Sequence, residues 1–385
     1  MKKICVFTGT RAEYGILLPL LKALRAEPSV KLQLLVSGTH LLVEFGETYQ
    51  AIEEDGFEIS EKVDMLLASD SGVGMAKSTG LGFISYADSF DRLKPDYVVI
   101  LGDRFEAFAA AGAAFMSGIA VIHISGGDST EGALDDAFRH SITKMSYLHF
   151  VTTEAYKNRV IQLGESPEMV HNFGSLSIDN IKSIALQSLE ELETSVGFKL
   201  TDKFFLVTYH PETLGDGDVE TLLDDFLKAL DVFTDHRILI TLPNADANRR
   251  KMIGIFKEYE RNQPERVKVV ASLGQLRYLS AIKHAAAVIG NSSSGIIEVP
   301  SFQVPTVNIG DRQRGRLGAE SIIHTASSFE AVVEGIRLAV SDEYKEKCRQ
   351  VKNIYGDGNA AEQMMKVIMD LPEKVSLRKK FYDLK

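Results

Sequence analysis

The feature that most limits what this chain can become is a repeated alternation between short, almost continuously apolar runs and longer helical stretches. In the first half the runs, rich in β-branched residues, fall at 4–8, 32–37, 97–101, 120–124 and 148–151. They do not alternate apolar with polar residues, as a strand with one wet face would. Both faces must therefore be covered, and helical crossovers between parallel strands do that. The rhythm predicts βαβ units and a doubly wound parallel sheet. It loosens in the polar segment 188–201, then restarts at 204–208, 238–241, 267–270 and 287–289, with helical intervals at 220–233 and 247–260.

The fold class expected is α/β, with two Rossmann-like domains. At 385 residues the chain exceeds the size at which one core keeps growing, so two domains also follow from length, and two domains imply a cleft. The expected division is 1–175 for the first domain, with a boundary in 175–200, then 200–358 for the second. A helical segment at 359–385 crosses back onto the first domain. Its helix, 359–370, stops before Leu371 and Pro372, as a helix meeting proline does.

Composition removes several function classes. No apolar stretch is long enough to span a bilayer, and the first residues run straight into a strand without a charged leader and cleavage site, so a cytoplasmic protein with no membrane partner is expected. Two cysteines, Cys5 and Cys348, are too few for a disulfide framework or a cysteine-based zinc site. The net charge of -10 opposes binding to a nucleic-acid backbone, which requires a clustered basic face.

Ligands of open α/β sheets sit beyond the carboxyl ends of the strands, so the residues there are the ones to read. After the first strand come Gly9, Thr10, Arg11, Ala12, Glu13, Tyr14 and Gly15: a glycine turn into a helix whose free amides suit an anion, with Arg11 as a fixed positive charge. The spacing is not GxGxxG, and a tight turn that every βα unit needs would read the same way. The stretch 72–79 imitates a phosphate-binding P-loop, but Ala76 stands where its last glycine belongs, and no clear strand precedes it; a glycine-containing loop or a helix start reads better.

At the next strand ends lie Asp103, with Arg104 and Glu106, and then His123, Ser125, Gly126, Gly127 and Asp128, followed by Asp135, Asp136, Arg139 and His140 on a helix. Asp103 alone reads equally well as a helix cap. Several carboxylates on one side of a sheet can divide proton removal from proton delivery, if their surroundings separate their pKa values. His123, His140, Asp103 and Asp128 are also possible metal ligands, though without compact ligand spacing.

In the second half, Tyr209, His210, Pro211, Glu212 and Thr213 follow a strand, and Pro211 restricts His210 to an extended backbone, so that its imidazolium can meet phosphate. The strongest local signal is Gly290, Asn291, Ser292, Ser293, Ser294, Gly295, Ile296, Ile297 and Glu298. Hydroxyls and amides at a helix start can cradle a diphosphate, and Glu298 can accept from a ribose; a plain serine cap is the structural alternative. Asp311, Arg312, Gln313, Arg314, Gly315 and Arg316 then add positive charge, as a phosphate subsite requires and as a solvated surface would also show.

Taken in order, GTRAEYG, LGDRFE, HISGGD with DDAFRH, TYHPET, GNSSSGIIEVPS and IGDRQRGR resemble the UDP-N-acetylglucosamine 2-epimerase family, specifically its hydrolysing branch, over nearly the whole chain. The resemblance implies a GT-B-like pair of domains with substrate in the cleft, no metal and no other cofactor, and a homodimer. It also implies the reaction: a base removes the C2 proton of UDP-N-acetylglucosamine as UDP leaves C1, and water adds to the acetamidoglycal to give N-acetylmannosamine. The same chemistry on UDP-2,4-diacetamido-2,4,6-trideoxyglucose is the alternative. Asp103 and Asp135 match acidic catalytic positions, Arg11 and His210 phosphate-side positions, Ser292, Ser293 and Glu298 UDP-holding positions, with Ser294, Gly295 and Arg312 beside them. Many relatives carry glutamate where this chain has Ser125, which cannot do carboxylate chemistry. Asp128 in the same turn is the candidate to replace it, and base and acid stay unassigned among Asp103, Asp128 and Asp135. A retaining glycosyltransferase, which needs an acceptor and leaves C2 unchanged, and a silent sugar-nucleotide-binding module are the competing functions.

Overall fold

The computed structural model describes residues 1–69, 71–130, 134–201, 203–210, 219–242 and 249–384. Two compact units emerge. The first comprises Met1–Asp128, Ala133–Asn180 and Tyr355–Lys385; the second comprises Ser129–Gly132 and Ile181–Ile354.

The first unit holds strands β1 (Lys2–Thr8), β2 (Val30–Ser37), β3 (Glu61–Val63), β4 (Tyr97–Leu101), β5 (Ala120–Ile124), β6 (Leu148–Val151) and β7 (Val170–Asn172), and the second holds β8 (Phe204–Thr208), β9 (Arg237–Thr241), β10 (Val267–Val270), β11 (Ala287–Gly290), β12 (Thr306–Ile309) and β13 (Ile322–Thr325). The sheet orders are β3-β2-β1-β4-β5-β6-β7 and β10-β9-β8-β11-β12-β13. Every pairing is parallel. Each order reverses direction once, between β1 and β4 and between β8 and β11, and these switch points are where α/β sheets open a crevice for ligands.

The apolar runs behave as period-two strands buried on both faces. In the first sheet, Ile4, Val6, Val99 and Ile122 pack against Leu17, Leu21 and Leu24 of the helix Arg11–Ala26. Their neighbours Cys5, Phe7, Val98, Ile100 and Val121 pack on the opposite face, against Ala107, Ala110 and Ala114 of the helix Phe105–Met116. That alanine-rich helix lies close to its neighbour Gly72–Leu93: a Cβ on Gly112 would stand 2.3 Å from the Phe83 ring. In the second sheet, Phe205 and Val207 face one cluster, and Phe204 and Leu206 the other.

Two sequence expectations are corrected here. Residues 72–79 are the start of the helix Gly72–Leu93, capped by Ser71, whose side chain accepts from Gly74 N, so the helix-start reading holds and the loop reading does not. The polar segment 188–201 contains the helix Leu189–Val196, opened by a reciprocal capping box between Ser188 and Glu191. Ser188 and Glu191 stand at the S-x-x-E spacing of such a box, a local signal of a helix start inside the polar segment.

The final helix, Ala360–Asp370, returns to the first unit, burying Met364 and Ile368 in the cluster that contains Val6 and Val99. Distant residues satisfy both its ends. Asp179 accepts from Ala360 N at 3.0 Å and Ala361 N at 2.7 Å, and Lys2 Nζ donates to the carbonyls of Ile368, Met369 and Leu371 at 2.7 to 2.9 Å. A carboxylate at the amino end and an ammonium at the carboxyl end both suit the helix dipole.

Candidate active site

The glycine turn after β1 is more occupied than its sequence implies. Thr10 caps the following helix by accepting from Glu13 N at 3.2 Å, and Glu13 Oε2 accepts from Gly9 N at 2.7 Å. Two amides expected to await an anion are therefore already taken, and the exposed Arg11 is the loop's remaining cation. Thr39 holds the turn from outside, donating its amide to Gly9 O at 2.9 Å. The partly buried Glu13 is pushed up to about 7, first by desolvation, with Glu106 and Asp103 adding repulsion and Arg104 and the Gly9 bond opposing it.

Beyond β4 and β5 the acidic residues converge on one guanidinium. Arg139, 2 % exposed, forms an ion pair with Asp103 through Nη2, and donates through Nη1 to Asp136 Oδ1 at 3.0 Å and to the backbone carbonyl of Asp128 at 2.9 Å. One side chain thus gathers the β4 turn, the β5 turn and its own helix Leu134–Met145. Sequence reading placed Arg139 on this helix but gave it no role. Arg104 meanwhile grips the buried Glu106 with two bonds, at 3.1 and 3.2 Å. Asp103 does not cap a helix: the helix Phe105–Met116 takes Arg104 as its N-cap, without a side-chain cap bond.

Asp135, on the same helix as Arg139, keeps an open face to solvent. Desolvation by the surrounding protein and repulsion from Asp103 nevertheless raise it to about 6, against the pull of Arg104 and Arg139. Asp103 and Asp135 therefore stand in different surroundings, one held by a buried arginine and the other tuned toward neutrality, which is the condition for two carboxylates to divide a pair of proton transfers.

His123 leaves the list of possible metal ligands. It is fully buried, with Nε2 2.8 Å from Gly102 O and Nδ1 3.2 Å from Thr143 Oγ1. A carbonyl only accepts, so Nε2 carries the proton and Nδ1 accepts from the threonine hydroxyl. Burial lowers its pKa to about 3, so the ring stays neutral and supports the turn that presents Asp103. His140 faces Asp136 at 3.5 Å.

The turn after β5 is tightly made. A Cβ on Gly127, at φ +82°, would stand 2.4 Å from Tyr156 O, and Arg159 binds the Gly127 carbonyl at 2.5 Å. Ser125 sits in the left-handed region at φ +65°, a conformation that costs a non-glycine residue on the order of 1 kcal/mol and that clusters at functional sites. Asp128 is buried three residues later, its carbonyl on Arg139.

In the second unit, the ends of β8, β11 and β12 form a second group. Gly290, at φ +139°, lies so close to β8 that a Cβ would stand 2.0 Å from Thr208 O. Asn291 follows, then Ser292, which caps the short helix Ser293–Ile297 by accepting from Ser294 N. The serine-cap reading is thus satisfied in full, alongside any ligand role. Ser294 donates its hydroxyl to Glu298, and desolvation raises the Glu298 carboxyl despite that bond. Gly295 accepts a bond from Thr306 Oγ1 at 2.9 Å. Arg312 Nη1 and Gln313 Nε2 both donate to Asn291 O, at 3.1 and 2.9 Å, whereas Arg314 lies on the exposed side beside Asp311. His210 is buried, its backbone paired with the Asn291 side chain. Pro211, Glu212 and Thr213 lie outside the described residues.

Sequence reasoning missed Tyr278 and the roles of Glu13, Gln313, Asn291 and Arg139. The Tyr278 hydroxyl is buried beside Ser294, Ser292 and Thr208 without a well-formed hydrogen bond. Nothing in the spacing of its helix marked it. Asn291 and Arg139 stood inside motifs already read, as an amide among serines and a base among acids.

Two doubly wound parallel sheets, with charged loop groups at the carboxyl ends of their strands, define a GT-B-like α/β protein. The same architecture is found in the crystal structure of UDP-GlcNAc 2-epimerase from Neisseria meningitidis bound to UDP-GlcNAc, with a TM-score of 0.82 over 96 % of this chain and 100 % of that one at 21 % identity. The sequence profile of UDP-N-acetylglucosamine 2-epimerase matches residues 22–369, and the chain belongs to that family. The chain is 42 % identical over 322 residues, 84 % of each chain, to the GDP/UDP-N,N'-diacetylbacillosamine 2-epimerase (hydrolyzing) of Campylobacter jejuni. It is 40 % identical over 390 residues, 100 % of this chain and 98 % of the relative, to the polysialic acid biosynthesis protein P7 of Escherichia coli. Among the described residues no helix is long and apolar enough to cross a membrane.

Proposed function

We propose that the protein is a hydrolysing 2-epimerase of UDP-linked 2-acetamido sugars, converting UDP-N-acetylglucosamine to N-acetylmannosamine and UDP. The observation that carries this reading is the pair Asp103 and Asp135, one ion-paired to buried Arg139 and the other raised to about 6. Abstraction of the C2 proton needs a carboxylate more basic than an ordinary aspartate, and a second group must return a proton from the other face. In the proposed sequence the C2 proton passes to a carboxylate, the C2–H electrons form the C1=C2 bond, and the C1–O electrons leave with UDP. Water then adds its oxygen to C1 while a proton is delivered to C2 with inversion. Asp135 and Asp103 carry these transfers, with Asp128 beside them in the turn that Ser125 opens. His210, Arg11 and Arg312 oppose the diphosphate charge, Ser292, Ser293, Ser294 and Gly295 cradle it, and Glu298 accepts from the ribose. No step draws on a metal or other cofactor.

A second reading, the same reaction on UDP-2,4-diacetamido-2,4,6-trideoxyglucose, is favoured by the 42 % identity to the diacetylbacillosamine enzyme. Incubation with each UDP-sugar in deuterated water, followed by NMR, separates the readings. N-acetylmannosamine deuterated at C2 with released UDP supports the first, and turnover confined to the diacetamido sugar supports the second. UDP release without C2 exchange, or no turnover of either sugar, rejects both.

A further inference from the structure

Asn291 does more than begin a serine loop, and we infer that its side chain is the positioning group that fixes His210, while its backbone carbonyl carries Arg312. A primary amide offers an acceptor and a donor side by side, as a peptide unit does. Asn291 uses both on one residue. Its Oδ1 accepts from His210 N at 2.7 Å and its Nδ2 donates to His210 O at 2.8 Å. The strands β8 and β11 pair through Thr208 and Gly290, and the Asn291 backbone adds a bond from its N to Thr208 O at 3.2 Å. Beyond the strand ends, the side chain continues by itself the pairing that backbone performs within the sheet.

The Asn291 carbonyl faces the other way and receives Arg312 Nη1 at 3.1 Å and Gln313 Nε2 at 2.9 Å. A single residue, 0 % exposed, therefore ties together the end of β8, the start of the serine loop and the loop after β12. Serine or alanine there would leave the buried His210 peptide groups without this partner, and the chain would have to shift to pair them again. A displacement of about 1 Å in a charge-bearing group can lower turnover about a hundredfold.

The inference deepens the proposed function and rests on it for the roles of His210 and Arg312. Three readouts test it on the full chain. Hydrogen exchange at the His210 amide should accelerate at least tenfold in Asn291→Ala, because its acceptor is gone, and this readout does not depend on activity. UDP affinity by calorimetry and kcat/KM on the preferred UDP-sugar should fall tenfold to a hundredfold. In the double variant Asn291→Ala with His210→Ala, the loss should be far smaller than the product of the single losses, because Asn291 acts through His210. Asn291→Ser removes the same two side-chain bonds, should show the same losses, and serves if the alanine variant fails to fold. Unchanged His210 exchange, or losses that multiply, would overturn the inference. A wild-type protein inactive on both sugars would instead reject the proposed function, while the exchange measurement would still decide whether Asn291 pins His210.

Discussion

Replacing Glu13 with glutamine isolates the electrostatic cost of the acidic face of the first unit. Glu13 is raised from 4.5 to about 7, by desolvation first and then by repulsion from Glu106 and Asp103. An acid whose folded pKa lies above its unfolded value contributes its full stability below the unfolded pKa and loses it as pH rises through the folded pKa. For Glu13 that window runs from about 4.5 to about 7. At about 1.4 kcal/mol for each tenfold change in proton affinity, the full loss is about 3.5 kcal/mol, and the partial exposure of the side chain reduces it to about 2 to 3 kcal/mol. Glutamine mimics the protonated acid and still accepts from Gly9 N, so Glu13→Gln should match the wild type at pH 4.5 and exceed it by about 2 kcal/mol or more at pH 8. Urea unfolding at pH 4.5, 6, 7 and 8, with the variant and wild type compared at each, measures this directly. A difference that does not change with pH, or one that shrinks as pH rises, would refute the reasoning.

Asp135→Asn removes the carboxyl raised to about 6, so kcat should fall on the order of a hundredfold or more, and the acid limb of the wild-type kcat/KM profile near pH 6 should disappear from the residual activity. Steady-state kinetics from pH 5 to 9 check both. Arg139→Met, at a side chain 2 % exposed, takes the guanidinium from Asp103, Asp136 and the Asp128 carbonyl, and should cost about 3 kcal/mol of stability by chemical denaturation together with most of the turnover, while UDP affinity changes little. Asp179→Ala uncaps the final helix and should cost about 1 to 2 kcal/mol, with limited proteolysis opening near residue 360 before any other site.

Much of the architecture was legible because its cause is local. A strand covered on both faces must be apolar along its whole length, so β1, β4, β5, β8 and β11 announced themselves in runs such as Tyr97–Leu101. The edge strands β3, β7 and β13 were not legible, because an edge strand is only partly covered, and Glu61–Val63, Val170–Asn172 and Ile322–Thr325 carry polar residues and form no continuous apolar run. Strand-end motifs were legible for a related reason: a glycine turn, a serine triplet or a run of acids is contiguous in sequence.

What such a motif cannot reveal is the partner that arrives from elsewhere. Asp103 reads as a helix cap until Arg139, 36 residues on, takes its carboxylate. His123 reads as a possible metal ligand until Gly102 and Thr143 occupy both its nitrogens. Sequence alone determined the two doubly wound sheets, the family and the positions where chemistry collects, because periodicity and contiguous motifs depend on near neighbours. Only the tertiary structure decided which groups are paired, which are tuned and which merely support, because desolvation and charge pairing depend on atoms brought together from β4, β5 and the helix Leu134–Met145.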